Sequence, residues 1–321
     1  MRIGTRWQIV GSRLMVLLSQ LLILYSPLAL SAPTPVLVAP GVYALLGEQG
    51  EISPRNRGVV GNAGFIVGDT GVLAVDTGVS WRYGRDMLAT IAGVTSLPVQ
   101  LTVITNPIQE FHFGATAFQE RGIPVLAHQK AAELMRQRCE TCLKNLRRVL
   151  GDEEMRNSKV VEPDQLIEHT TSLNVGGREL QMIYFGWASA PGDLAVFDPT
   201  SGVLFAGGLV SVGQIPPLRD ADLEGWISAL EQLDKLPAKT IVPGHGPVST
   251  PEQARQTLSY LRALRAKVGM LYKSGAGLAE AIARAQLPEF ESWSLYGVLH
   301  TQNVQQLYLQ LEREEIHQEG K

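Results

Sequence analysis

Hydrophobic positions along this chain fall into short alternating or β-branched runs in two groups, with helical spacing between and after them. Val42 to Leu46, Ala63 to Val67 and Val72 to Asp76 read as strands, separated by Gly and Asp residues that suit turns. Tyr83 to Ala92 reads as a helix, Val99 to Thr105 as a strand, Phe111 to Glu120 as a helix and Pro124 to Ala127 as a short strand. Lys130 to Leu150 predicts a long helix with charge on one side. The second half repeats the theme, with strands over Glu179 to Phe185, Leu194 to Phe197, Val203 to Ala206 and Thr240 to Val242. Between the last two, Leu223, Trp226, Ile227, Leu230 and Leu233 share one helical face. Thr250, Pro251 and Gln253 compose a helix start: a capping hydroxyl, a Pro at the first position and a reciprocal partner. Leu258, Leu261, Leu264, Val268 and Leu271 carry that helix onward, and Leu295 to Glu315 predicts a final one. Two sets of strands, each followed by helices, predict an α/β (α+β) fold: an αββα sandwich of two mixed sheets with outer helices. No strong linker divides the halves, so 33–321 is expected to be one domain, and the repeated order is compatible with a loose internal duplication, although no sequence identity proves one.

The first 32 residues follow another pattern. Arg2, Arg6 and Arg13 precede an apolar stretch from Leu14 to Tyr25, and Leu28 to Ala32 closes it with small residues. That order predicts a secretory signal peptide over 1–32, with Ala29 and Ser31 suited to the −3 and −1 positions or cleavage after Ala32. An uncleaved anchor is the competing reading. Ser19, Gln20 and Pro27 interrupt the run, which is short of the ~20 apolar residues a span needs. No second run of membrane length follows, so the expectation is an exported protein with no membrane association after cleavage, periplasmic in a cell with two membranes.

Composition narrows the classes further. Hydrophobic residues make up 45% and charged residues 18%, which supports a buried core. The net charge is −3 with no long basic run, which gives nucleic acid no electrostatic footprint. Two cysteines are too few for a disulfide scaffold.

Candidate chemistry sits where strands end. Val75-Asp76-Thr77-Gly78, Thr105-Asn106, Phe113-Gly114, Gly192-Asp193, Leu204 to Gly208 and Pro243-Gly244-His245-Gly246 place small or polar residues at successive strand ends, where loops converge to build sites. In order and spacing, VDTG (Val75 to Gly78), FGA (Phe113 to Ala115), APGDLAV (Ala190 to Val196), LFAGGLV (Leu204 to Val210) and VPGHGPV (Val242 to Val248) resemble the metallo-β-lactamase fold family. The resemblance runs from about Val42 to Glu315 and looks closest to exported quinoprotein-relay-system or SoxH-like zinc metallohydrolases. It implies seven ligand positions for two zinc ions: a His-x-His-x-Asp-His motif, a His before Gly-Asp, an Asp after the LFAG run and the His of PGHG. Here those positions read Asn106, Ile108, Glu110, Phe111, Ser189, Gly208 and His245. Five of the seven are substituted, and two remaining donors should not hold zinc tightly.

The resemblance therefore implies a non-catalytic binding or accessory protein without a cofactor. Its partner would be an unknown periplasmic protein or small molecule, with a link to a periplasmic quinoprotein system. The alternative is a hydrolase of a lactam, ester or thioester with one zinc. If the loop carries one extra residue, Glu110, His112 and His245 supply three donors. Against this, His112 also reads as a solvent-facing or capping residue, His245 as a loop brace and Glu110 as a first-turn acid favoured by the helix dipole. A metal-free route through Ser189 lacks the strained elbow such nucleophiles occupy. In this fold Asp76 would brace the motif loop through backbone N–H groups, with or without zinc.

Cys139 and Cys142 form a Cys-x-x-Cys pair inside the long helix. A disulfide is the default in an oxidising compartment, with a redox-active pair or part of a metal site as alternatives. His128, His169, His300 and His317 have no ligand pattern, Trp187, Trp226 and Trp293 suit a core better than a groove, and Asn303 suits seating the last helix.

Overall fold

The alternating runs of the first half become β1 (Val36–Ala39), β2 (Val42–Leu45), β3 (Ala63–Val67), β4 (Val72–Val75), β5 (Val99–Val103), β6 (Val125–His128) and β7 (Gln165–Ile167) in a computed structural model that describes residues 32–319. Apart from Ala32, the predicted export segment lies outside the described residues. The seven strands lie in chain order in one sheet. β1 to β4 form an antiparallel meander, and β4 to β7 run parallel. Parallel neighbours need crossovers. These are α1 (Trp81–Val94), the short α2 (Gln109–His112) and α3 (Ala115–Gln119), and α4 (Gln129–Leu150).

The second half builds its own five-stranded sheet from β8 (Thr171–Val175), β9 (Arg178–Tyr184), β10 (Leu194–Asp198), β11 (Val203–Ser211) and β12 (Thr240–His245). Again an antiparallel meander comes first, and a parallel pair, β11 with β12, closes it across α5 (Leu223–Leu233). Both halves follow the same meander-then-crossover order. α6 (Pro251–Lys273), α7 (Leu278–Arg284) and α8 (Thr301–Glu319) follow.

The sheets pack face to face through Val42, Ile66, Leu73 and Val103 on one side and Met182, Val196, Phe205 and Val242 on the other. Met87, Ile91 and Phe118 of α1 and α3 seal the outer face of the first sheet. Trp226, Leu230, Leu261 and Leu264 of α5 and α6 seal the second. This is the αββα sandwich expected from the strand and helix order. No helix among the described residues is long and apolar enough to cross a membrane.

Local chemistry explains the agreements and departures. Both bonds of the Thr250–Gln253 capping box form. Asn303 seats α8 by accepting the Leu218 N–H (2.9 Å) and donating to the Pro216 carbonyl (2.8 Å) and Tyr260 hydroxyl (3.0 Å). The helix expected over Phe111 to Glu120 is broken at Phe113–Gly114, where the loop after β4 presses in. A Cβ on Gly114 would stand 1.9 Å from the Thr77 carbonyl oxygen. The final helix begins later than expected, because Leu295 is left-handed (φ 64°) and a π turn spans Tyr296–His300 before α8. β1 comes from the Pro-rich lead, and β7 and β8 have largely exposed or half-buried faces, so none of the three had a strong apolar signature.

Candidate functional site

The predicted strand ends meet at one edge of the sandwich. Asp76 follows β4, Asn106 follows β5, Ser189 precedes β10, Gly208 lies in β11 and His245 ends β12. Asp76 is the pin. Its backbone is left-handed (φ 56°), and its buried carboxylate accepts the Thr105 N–H (2.8 Å) and the Thr105 hydroxyl (2.7 Å). Burial pushes its pKa up to about 7, against those two bonds, which favour the charged form. The adjoining Thr77 N–H donates to the Phe111 carbonyl (2.7 Å), so the β4 turn grips the segment 105–111 at both ends.

The first metal position of the family pattern is a closed hydrogen-bond network. The Asn106 amide nitrogen donates to Ser189 Oγ (3.1 Å) and to Asp193 Oδ1, and its oxygen accepts the Ile108 N–H (2.8 Å). Ser189 donates to Asp193 Oδ2 (2.8 Å), which also accepts the Ala190 N–H (2.8 Å). Asn106, Ser189 and Asp193 are buried. Burial raises the Asp193 carboxyl to about 7, opposed by the bonds from Ala190, Ser189 and Asn106. Gly208 lies directly beneath the network: a Cβ there would be 2.1 Å from Asn106 Nδ2 and 2.9 Å from Ser189 Oγ. The space an acidic side chain would need at 208 is filled by the Asn106 amide.

At the second position Glu110 Oε1 lies 3.3 Å from His245 Nε2, and the fully buried Phe111 ring meets the His245 ring edge-on at 5.5 Å. Asn62, which the sequence reading did not single out, holds the PGHG turn. It donates to the Pro243 and Gly246 carbonyls, each at 2.8 Å, and accepts the Gly47 N–H (2.9 Å). Asp193, quoted only as part of a motif, is the hub of the first position. A lone buried Asn or Asp carries no sequence signal beyond its type.

His112 is fully buried and turned toward α4, where its Nε2 meets Cys139 Sγ at 3.4 Å and its ring tilts on Phe113 at 4.4 Å. It is thus neither solvent-facing nor a cap. Its Nδ1 has no partner. Burial lowers its pKa from 6.5 to about 3. The unfolded chain therefore takes up a proton between these values that the folded chain refuses. The stability this neutral histidine contributes is present above pH 6.5 and is lost as pH falls toward 3. Replacing His112 with Leu is expected to flatten the acid side of the stability profile by about 2 kcal/mol between pH 6.5 and 5 relative to wild type. Urea unfolding at the two pH values checks this, and parallel profiles would refute it.

These residues do not fit a zinc pair. The Asn106 and Ser189 polar atoms are spent on one another and Asp193, Ile108 and Phe111 offer no donor, and position 208 has neither donor nor room. Zinc requires about three or four N, S or O donors. Glu110 and His245 supply two, with His112 facing Cys139 instead. Among the described residues no group of three His, Cys, Asp or Glu side chains is arranged to hold a metal. Cys139 and Cys142 are unbridged in this structure. Of the other histidines, His128 caps α4 by accepting the Lys130 N–H (3.1 Å), His300 bridges the Ala285 carbonyl (2.8 Å) and Tyr260 (3.1 Å), and His169 and His317 are exposed. Trp226 is core, but Trp187 is 48% exposed and lines a cleft, because its indole N–H is tied to the Asp220 carbonyl (2.7 Å).

Two packed sheets with outer helices and a site on the loops at one edge define the class. Residues 56–245, more than half of the chain, match the model of the metallo-beta-lactamase superfamily, and the chain belongs to that superfamily. An 89-residue stretch is 32% identical to the metallo-beta-lactamase type 2 of Bacteroides fragilis, covering 26% of this chain and 36% of that protein. A stretch of 177 residues is 29% identical to the putative diflavin flavoprotein A 3 of Synechocystis sp., covering 44% of this chain and 28% of that protein. The chain thus spans about a third of the length of the curated relatives it matches. Among solved structures, the metallo-beta-lactamase from Pontibacter korlensis aligns with a TM-score of 0.60 at 24% identity, over 72% of this chain and 99% of that one. The DIM-1 metallo-beta-lactamase aligns at 0.56 and 16% identity, over 72% and 97%. At these identities the structural likeness speaks for the fold alone.

Proposed function

We propose that this is an exported metallo-beta-lactamase-fold protein that binds a small molecule or partner rather than hydrolysing a substrate through zinc. The observation that carries the reading is the Asn106–Ser189–Asp193 network, whose polar atoms satisfy one another where the first metal would sit. A buried polar cluster with its hydrogen bonds made resists rearrangement, because opening it would strand desolvated groups. The retained Asp76 brace keeps the scaffold of the site without the donors. Resemblance to exported quinoprotein-associated members supports a periplasmic setting beside a quinoprotein system.

Hydrolysis of a lactam, ester or thioester at a single metal is the competing reading. The Glu110–His245 pair supports it, and the engagement of His112 with Cys139 weighs against it. Metal content decides between them. The purified protein, loaded with zinc and desalted, is expected to retain less than about a tenth of an equivalent and to show no rise in melting temperature, since a bound ion stabilises by mass action. One retained equivalent that disappears in His245→Ala would overturn the proposal.

A further inference from the structure

Cys139 and Cys142 stand one turn apart on α4 and play no part in the site above. A three-residue helical separation puts two Cα atoms within the roughly 4.4–6.8 Å that a disulfide spans. Cys139 is buried beside Met135, Leu143 and Leu146, while Cys142 is half-buried at the helix flank. Cys139 Sγ also meets His112 Nε2 at 3.4 Å.

A cleft of about 530 Å³ lies between α4 and the loops carrying Trp187 and Asp220. Arg138, one turn before Cys142, and Arg219, near enough to act on its thiol electrostatically, both line that cleft and both pair with Asp220, which lines it as well. Lys130 lines it too and makes no ion pair among the described residues. The neighbouring Cys139 thiol and the Arg219 charge, against burial and the Asp220 carboxylate, hold the Cys142 thiol below its usual range. A half-exposed thiol beside cations, with a second thiol behind it, has the environment of a reactive pair.

We propose that Cys142 and Cys139 form a redox-active dithiol that exchanges with small carboxylate-bearing disulfides held in this cleft. The Cys142 thiolate, its proton given to solvent, attacks one sulfur of the disulfide. The S–S bond breaks, and its electron pair leaves on the first thiolate, which takes a proton from water. Cys139 then attacks Cys142 Sγ, passing its proton to the second departing thiolate. Two protein thiols are oxidised by two electrons, and one disulfide is reduced to two thiols. A bridge closed inside one helical turn carries strain, and strained disulfides are the readily reduced ones, so the exchange is reversible. The inference is independent of whether zinc binds.

The test is to incubate the reduced, desalted protein with oxidised glutathione and follow mass and free thiols. Wild type is expected to lose both thiols and two hydrogens and to keep no glutathione. Cys139→Ser is expected to stop as a stable glutathione adduct on Cys142, and Cys142→Ser to stay unmodified over the same time. Arg219→Leu, which leaves both thiols in place, is expected to slow wild-type oxidation several-fold. Cystamine, a cationic disulfide, is expected to react more slowly than oxidised glutathione once each is scaled to its rate with free cysteine. Survival of both thiols under conditions that oxidise free cysteine would overturn the proposal, as would an adduct forming first on Cys139. Equal scaled rates for the two disulfides would overturn its carboxylate preference.

Discussion

Gly208→Asp, which restores the acidic residue the family pattern has after the LFAG run, is expected to destabilise the protein by about 3–5 kcal/mol. The first atom added already collides: a Cβ at 208 stands 2.1 Å from Asn106 Nδ2 and 2.8 Å from its Cγ. Asn106 cannot swing away without abandoning Ser189, Asp193 and the Ile108 N–H together. The incoming carboxylate would also sit near the buried Asp193 carboxyl. For a domain of this size the loss corresponds to a fall of about 10 °C in melting temperature. Gly208→Ala isolates the steric part and is expected to cost about 1–3 kcal/mol. Adding Asn106→Ala to Gly208→Asp is expected to cost nothing further, because it opens the space the aspartate needs; coupling of neighbours is the signature of a shared cavity. A Gly208→Asp variant that melts with wild type would mean that Asn106 does not hold this position in solution.

How much of this was legible beforehand divides along physical lines. Strands buried on one or both faces, such as Ala63–Val67 and Leu194–Asp198, and helices with a continuous apolar stripe, such as Leu223–Leu233, announce themselves because burial forces the period of the pattern. The Thr250–Gln253 cap was legible for a different reason: its two bonds are made between residues three apart, so nothing distant is needed. β1, β7 and β8 were not, since half-exposed edge positions relax the apolar requirement. Nor was the break at Phe113–Gly114, which is imposed by the carbonyl of Thr77 from a separate loop.

The site divides the same way. The identities of the seven positions could be read from motif spacing, and the absence of donors at Ile108, Phe111 and Gly208 needs no coordinates. What fills the vacated space does. That Asn106 lies over Gly208 and shares Asp193 with Ser189 depends on contacts across 83 and 87 residues of sequence. His112 shows the limit most clearly. Its place two residues from Glu110 suggested a shared ligand set, yet residues two apart on a short helix point in different directions, and its ring lies against α4.

Asp76→Ala is expected to be the other costly change, losing about 3–5 kcal/mol, although the residue is buried behind the site. Three terms act together. The Thr105 N–H and hydroxyl lose their acceptors while staying buried. The removed carboxylate leaves a void that the tightly placed Thr105 side chain cannot fill, since its Oγ1 already sits where a Cβ on Gly207 would be, 2.2 Å away. Alanine, unlike Asp or Asn, has no side-chain bond to offset the left-handed backbone at φ 56°. Asp76→Asn keeps an oxygen for the Thr105 N–H and tolerates that backbone, and the Thr105 hydroxyl can turn to accept from the amide, so it is expected to cost only about 1 kcal/mol. The Asn variant also separates bracing from charge. Burial raises the Asp76 pKa from 3.8 to about 7, so the folded state holds a proton that the unfolded state releases across that window. The contribution of this group to stability is therefore greatest at or below pH 3.8 and declines as pH rises toward 7. Asp76→Asn should remove that decline, so the stability gap between wild type and variant narrows as pH rises through the window. Denaturant melts of the two proteins at mildly acidic and neutral pH measure it. A gap that widens instead would show a carboxylate whose bonds to Thr105 outweigh its burial, and an Ala variant as stable as Asn would remove the bracing role altogether.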